Sequence, residues 1–96
     1  MTWQFRAEPW RWQARSDSWI FATVPPEISA EISDRPRPPS GFGSVKVRVR
    51  VGATQWLTSV FPDATSGCYV LPLKKAVRVA EGIEEGVPVE IGLELA

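Results

Sequence analysis

Apolar and polar residues alternate along much of this 96-residue chain. Every second residue of Val45–Val51 is valine, and a period of two is typical of a β-strand that buries one face and exposes the other. Trp19–Val24 is apolar on both faces, which indicates a central strand. Alternation and short apolar runs together predict a mainly β fold with six strands. The predicted strands are Trp3–Glu8, Trp19–Val24, Val45–Val51, Gln55–Phe61, Tyr69–Leu73 and Val87–Leu95.

Two short helices interrupt this series of strands. Pro26 suits the first turn of a helix, where no amide hydrogen is needed, and it precedes the predicted helix Glu27–Ile32. The second predicted helix, Lys74–Ala80, offers alanine and valine side chains to a core and is followed by Gly82. Each half of the chain therefore consists of strand, strand, short helix and strand. A chain of 96 residues is long enough for one domain with one core.

The segment between the two halves, residues 34–43, is rich in proline and glycine and predicts an irregular loop. Within it, Arg35–Pro39 contains a proline-x-x-proline step with flanking arginines, a composition that docks into aromatic-lined peptide grooves. A stiff surface loop is the simpler interpretation. We favour it because such steps are frequent in proline-rich loops.

Charges of opposite sign are separated along the chain, although its eleven Lys and Arg balance eleven Asp and Glu. Residues 35–62 contain five cations and no acid, and residues 79–96 contain five acids and no cation. We predict that the valine-rich strand and the last strand are neighbours, because opposite charges would then meet on the outer surface and favour one register. The predicted partners are Lys46, Arg48 and Arg50 on one strand and Glu90 and Glu94 on the other.

The cations also suggest an alternative function, the binding of nucleic acid through contacts with phosphates. The candidate residues are Lys46, Arg48, Arg50, Lys74, Lys75 and Arg78. Two observations disfavour this alternative. The chain has no net charge to attract a polyanion, and the acidic last strand would neutralise part of the basic row.

Residues suited to catalysis are few, because the chain has no histidine. A serine–lysine hydrolase using Ser59 and Lys74 is a remaining possibility, but nothing in their spacing selects these two residues. We expect no enzyme, no metal and no cofactor. The only cysteine, Cys68, excludes an internal disulfide and is expected to be a small buried residue rather than a reactive thiol. With no apolar stretch of about twenty residues, the expected location is the cytoplasm, without a membrane partner.

Trp10 and Trp12 are the least expected residues in the sequence. Continued alternation puts both indoles on the face opposite Trp3 and Phe5, unless Pro9 introduces a bulge that swaps the faces. We favour the bulge. Without one, the two indoles would form an exposed aromatic patch that marks a surface for a ligand or partner, since monomers rarely expose large apolar patches.

Several segments resemble the bacterial DUF1905 family (domain of unknown function 1905). They are Trp19–Pro25, Leu57–Pro62, Gly67–Arg78 and Gly86–Val89, with Gly82 between the last two. The resemblance spans nearly the whole chain and implies a double-split β-barrel capped by short helices, in the broad fold group of the AbrB and MazE DNA-binding proteins. It implies no catalytic residues. The chain departs from the family in its long proline-rich loop and in Val87, where an aspartate is common.

The preferred hypothesis from the sequence is a non-enzymatic domain that binds an unknown small molecule or protein partner through its barrel. Trp10 and Trp12 are the candidate contact residues. Kinship with DNA-binding barrels adds little to the nucleic-acid alternative, because one fold hosts many unrelated functions.

Overall fold

The structure is a computed structural model that describes residues 2–14, 17–35 and 43–96. Its seven strands form one antiparallel sheet in the order β1-β7-β4-β5-β6-β3-β2, and two helices accompany the sheet. The prediction of a mainly β fold with two short helices is confirmed. The elements are β1 (Thr2–Ala7), β2 (Trp10–Ala14), β3 (Asp17–Thr23), α1 (Pro26–Ser33), β4 (Val45–Val51), β5 (Thr54–Asp63), β6 (Cys68–Pro72), α2 (Lys75–Glu81) and β7 (Val89–Leu95).

The predicted number of six strands is wrong, because β2 was not recognised as a strand. The last strand begins at Val89 instead of Val87, directly after Pro88. Both helices lie within one residue of their predicted limits. Most of the predicted loop at residues 34–43, including the prolines of the proline-x-x-proline step, falls outside the described residues.

The sheet is curled into a half-barrel, and the chain path explains the curl. β1 and β2 lie at opposite edges of the sheet, yet only Glu8 and Pro9 separate them. Since an extended chain advances at most about 3.6 Å per residue, the two edges must approach each other at this corner. The connection between α2 and β7 joins the corner, where the Gly86 amide donates to the Pro9 carbonyl oxygen at 2.8 Å.

The two halves of the chain contribute equivalent parts to the sheet. In the second half, β5 pairs with β4 through its first residues and with β6 through its last. In the first half, β1 pairs with β7 and β2 pairs with β3, so β1 and β2 together play the role of the single long strand β5. The predicted repeat of strands and a helix is therefore present, with Pro9 dividing the first long segment.

The inner face of the curled sheet carries the core. All four valines of β4 are buried, and Trp3, Phe5, Ile91 and Leu93 are buried on the neighbouring strands β1 and β7. On the other side, β3 and β6 contribute further buried side chains to the same cluster. Burial of this apolar area supplies the main favourable term in folding. The further members of the cluster include Ile20 and Ala22 of β3, Trp56 and Val60 of β5, and Leu71 of β6.

The pairing of β4 with β7 is confirmed, and charge accompanies it as the sequence predicts. Arg48 lies opposite Glu94 in the ladder, and their side chains form an ion pair at 3.1 Å. Glu90 was expected to meet a cation of β4. It pairs with Arg6 of β1 instead, at 3.2 Å, because β7 lies between β1 and β4.

The helices lie against the second part of the sheet. α1 packs on β6 and α2 packs on β5. Pro26 occupies the first turn of α1, and Gly82 ends α2 with a left-handed φ of 63°, a conformation that glycine adopts without strain. Within the described residues, neither helix has the length and apolar composition needed to cross a bilayer.

Candidate binding surface

The outer face of β2 and β3 carries four aromatic side chains. Trp10 lies opposite Phe21 in the ladder, and Trp12 lies opposite Trp19. Side chains of directly paired residues project from the same face of a sheet, so all four are neighbours. We call Trp10, Trp12, Trp19 and Phe21 the aromatic surface.

The predicted bulge at Pro9 does not swap the faces, and this expectation is wrong. Trp3, Phe5 and Pro9 are buried, whereas Trp12 is 47 % exposed. Odd-numbered residues therefore point inward and even-numbered residues point outward through the Pro9 corner without interruption. The alternative arrangement is present, in which both indoles lie on the outer face, with Trp12 exposed and Trp10 half-buried.

Ring contacts and one hydrogen bond fix the aromatic surface. The ring centroids of Trp10 and Phe21 are 5.3 Å apart, and those of Trp19 and Phe21 are 6.4 Å apart with nearly parallel planes. Trp10 Nε1 donates to Thr23 Oγ1 at 2.9 Å, which satisfies the indole within the fold. Such contacts hold the rings in place before any partner arrives.

The outer face of the sheet continues from the aromatic surface toward β5 with uncharged side chains. Phe61 and Leu57 of β5 are both exposed and extend the apolar character beyond β6. The outward residues that continue from the aromatic surface across β6 to β5 are uncharged. They are Thr23, Val70, Pro72, Phe61, Ser59 and Leu57. Charged residues lie at the margins of the surface, with Glu8 two residues before Trp10 and Lys74 just beyond Pro72, where the Leu73 amide donates to the Ile20 carbonyl oxygen beside Trp19.

Trp19 and Phe21 were missed as candidate contact residues. Their segment is apolar on both faces, and the sequence therefore indicated a central strand. In the structure β3 is the second strand from an edge, and Trp19 is 52 % exposed on its outer face. The signal that could have identified them is the alternation of the aromatic Trp19 and Phe21 with the aliphatic Ile20 and Ala22, which are the buried pair in the structure.

The six candidate cations for nucleic-acid binding occupy two places. Lys46, Arg48 and Arg50 project from the outer face of β4, and the other three lie at the start of α2 or within it. Two of the six are engaged inside the fold. Arg48 pairs with Glu94, and Arg78 Nε donates to the Leu73 carbonyl oxygen at 2.9 Å.

The residues considered for catalysis do not form a site. Ser59 faces Lys46 across the β4–β5 ladder, and Lys74 precedes α2. No hydrogen bond joins Ser59 to Lys74 in the described part of the chain. Cys68 is a free, buried thiol, as predicted for its packing. Within residues 2–14, 17–35 and 43–96, no three acidic or thiol side chains converge on a possible metal position.

An open groove of about 630 Å³ lies between α1 and the β5–β6 turn. The buried Ser29 forms part of its floor, and its hydroxyl links two strands. Ser29 Oγ donates to the Val24 carbonyl oxygen and accepts a hydrogen bond from the Tyr69 amide, both at 3.0 Å. The backbone groups of Tyr69 face Val24, just beyond the end of the β3–β6 ladder, and the Tyr69 carbonyl oxygen accepts from the Val24 amide at 2.9 Å. The groove is thus closely tied to the packing of α1.

Comparison with known protein families gives a match. The profile of the family described as "Domain of unknown function (DUF1905)" matches residues 5–93, from the middle of β1 into β7. No match was found among curated proteins. The family resemblance seen in the sequence is therefore confirmed.

Proposed function

The chain belongs to the DUF1905 family, and we propose that it is a non-enzymatic domain that binds an uncharged, apolar segment of a partner protein. The contact surface is the aromatic surface on β2 and β3. The exposure of Trp12 and Trp19 side by side is the observation that carries the proposal. We also propose the cytoplasm as its location, because the one cysteine is a free thiol.

Exposed tryptophan side chains lower the solubility of a protein and contribute little to its stability. Trp10 and Phe21 pack against neighbours, but the outer parts of Trp12 and Trp19 contact water. Burying one such ring in an interface removes a large apolar area from water, and tryptophan is enriched among residues that dominate binding energy. A partner segment that covers both rings would gain this term.

The chemistry of the surroundings favours a protein over other partners. Phosphates need several nearby cations, and the outward residues that continue from the aromatic surface across β6 to β5 include none, so stacking of nucleic-acid bases would gain little electrostatic support there. A small ligand is usually enclosed by a concave site, whereas these four rings lie on the open face of a sheet. An apolar peptide segment needs neither cations nor a cavity.

The experiment is selection from a random peptide library with the purified domain, followed by affinity measurement. We expect selected peptides to be apolar and uncharged. The double variant Trp12→Ser with Trp19→Ser should bind them about tenfold more weakly or worse, since each hot-spot ring contributes over about 1 kcal/mol.

A matched control removes two exposed apolar residues outside the aromatic surface and its neighbours. Val79 and Val87 are 72 % and 52 % exposed, and the double variant Val79→Ser with Val87→Ser should keep the affinity of the original domain. Equal losses in both double variants, or selection of acidic or basic peptides, would overturn the proposal. Light scattering across a concentration series adds a further check. If the original domain is a dimer and only the double tryptophan variant is a monomer, the aromatic surface binds a second copy of the chain. That result would contradict a separate partner.

A further inference from the structure

A row of polar residues crosses the outer face of four strands at Gly92. Gln4 of β1 and Arg50 of β4 both lie opposite Gly92 of β7, and Gln55 of β5 lies opposite Arg50. Because Gly92 has no side chain, the row has a dent of about 150 Å³ at its centre.

Arg50 differs from the other two arginines on this face. Arg6 has Glu90 as its cross-strand partner, and Arg48 has Glu94. Arg50 faces Gly92 between those two acids, and within the described residues no ion pair joins it to a carboxylate. The three outward residues of β7 are thus a glutamate, a glycine and a glutamate. The glycine is the residue opposite Arg50, so β7 offers Arg50 no carboxylate directly across the ladder.

Neither backbone conformation nor crowding demands glycine at this position. Gly92 has no positive φ, unlike five other glycines of the chain. A Cβ atom there would meet Gln4 Nε2 at 3.4 Å, the end of a flexible side chain, and atoms of Arg50 only at 3.8 Å. Glycine inside a strand weakens it, and it often marks a place where a ligand approaches the backbone closely.

We propose that the dent over Gly92 is a binding site for a carboxylate group. Arg50 supplies a charged donor, and the side-chain amides of Gln4 and Gln55 can donate from either side of the dent. The two neighbouring acids do not repel the ligand at full strength, because Arg6 and Arg48 neutralise them. A single carboxylate fits the charge and the size of the gap.

Experiment can distinguish two kinds of ligand that carry a carboxylate, a small free molecule and an acidic side chain of another protein. Titrations of the labelled protein by two-dimensional NMR would use sodium acetate and the blocked peptide acetyl-Ala-Glu-Ala-amide. We expect saturable shifts confined to Gln4, Arg50, Gln55 and Gly92. Stronger binding of acetate indicates a free carboxylate as the ligand, and stronger binding of the peptide indicates a protein side chain.

Two variants test the assignment in different ways. Arg50→Gln should weaken binding about tenfold or more, as expected when a charge-assisted hydrogen bond is lost. Gly92→Glu supplies the missing carboxylate from the chain itself and should also abolish binding. Lys46→Gln removes a cation of the same strand face outside the dent and should leave binding unchanged.

Three results would overturn the proposal. The first is that sodium chloride at equal ionic strength produces the same shifts. The second is that the uncharged peptide acetyl-Ala-Gln-Ala-amide binds as well as its glutamate counterpart. The third is that Lys46→Gln loses as much affinity as Arg50→Gln. Amide signals outside the dent report the fold of each variant directly. The test does not involve the aromatic surface, so this site and the proposed function stand or fall separately.

Discussion

The outer face of this one sheet has two unlike regions. On β1, β7 and β4, arginine and glutamate side chains pair across the strands, as in Arg6 with Glu90 and Arg48 with Glu94. On β2 and β3, the corresponding positions are aromatic, and no ion pair crosses that ladder among the described residues. The inner faces of β1, β7 and β4 in the first region and of β3 in the second contribute buried apolar side chains to one core.

The two regions differ in what their outer side chains contribute to the fold. Both regions gain their stability from the shared inner core, so the outer positions are free to vary. In the charged region they favour one register over a slipped one. In the aromatic region they add solvent-exposed apolar area that the fold does not require, and this is the area that the proposed partner would cover.

The largest expected effect tests whether the two regions share one core. Leu71 of β6 and Leu93 of β7 are almost completely buried, one behind each region. We expect Leu71→Ala and Leu93→Ala each to lower the free energy of unfolding by about 2–5 kcal/mol, through lost burial and the cavity left behind. Urea unfolding monitored by circular dichroism measures both. A low cost for one leucine alone would mean that the two regions have separate cores, and the exposed Leu57→Ala should change stability by less than about 0.5 kcal/mol.

A smaller effect concerns how the aromatic region is held without ion pairs. Ser29→Ala would leave the Tyr69 amide and the Val24 carbonyl oxygen buried without this partner, which costs about 1–3 kcal/mol. Amide exchange at Tyr69 should accelerate as well. Glu31→Ala, at an exposed position of the same helix, controls for the introduction of alanine into this helix. Equal losses of stability in the two variants would show that the buried hydroxyl has no special role.

The smallest effect belongs to the charged region. A double-mutant cycle with Arg48→Gln and Glu94→Gln should give a coupling of about 0.2–1 kcal/mol, since the pair is exposed. At about 1 M salt the coupling should shrink, because screening shortens the range of the interaction. Lys46→Gln combined with Glu94→Gln provides the comparison pair. A coupling energy larger than the stability lost in Ser29→Ala would contradict the expectation that the exposed ion pair contributes less than the buried hydroxyl.

Local patterns predicted much of this fold. The valines of β4 identify a strand without ambiguity, and the separated charges correctly placed β4 beside β7. Both helices followed from local signals, Pro26 at the start of one and Gly82 at the end of the other. In each case the deciding residues lie within a few positions of one another or carry charges that attract over distance.

Features that depend on distant contacts could not be predicted in this way. β2 alternates well enough to be a strand, but Pro9 before it suggested a bulge, and only its pairing with β3 settles which face Trp10 and Trp12 occupy. The role of Ser29 depends on Tyr69 of β6 lying beside Val24 from another part of the chain. The dent over Gly92 likewise requires β1, β7 and β4 to lie side by side.

The pairing of the first strand with the last has a consequence for how the protein is made. Thr2 of β1 lies opposite Glu94 of β7, so β1 has no ladder partner until nearly the whole described chain has been synthesised. A nascent chain that lacks β7 exposes both β1 and the valine-rich edge of β4. Contacts between residues so distant in sequence also slow folding, because the loop must close before the contact forms. Ribosome-bound chains that end before β7 should therefore be the form of this protein most prone to aggregation and most dependent on chaperones.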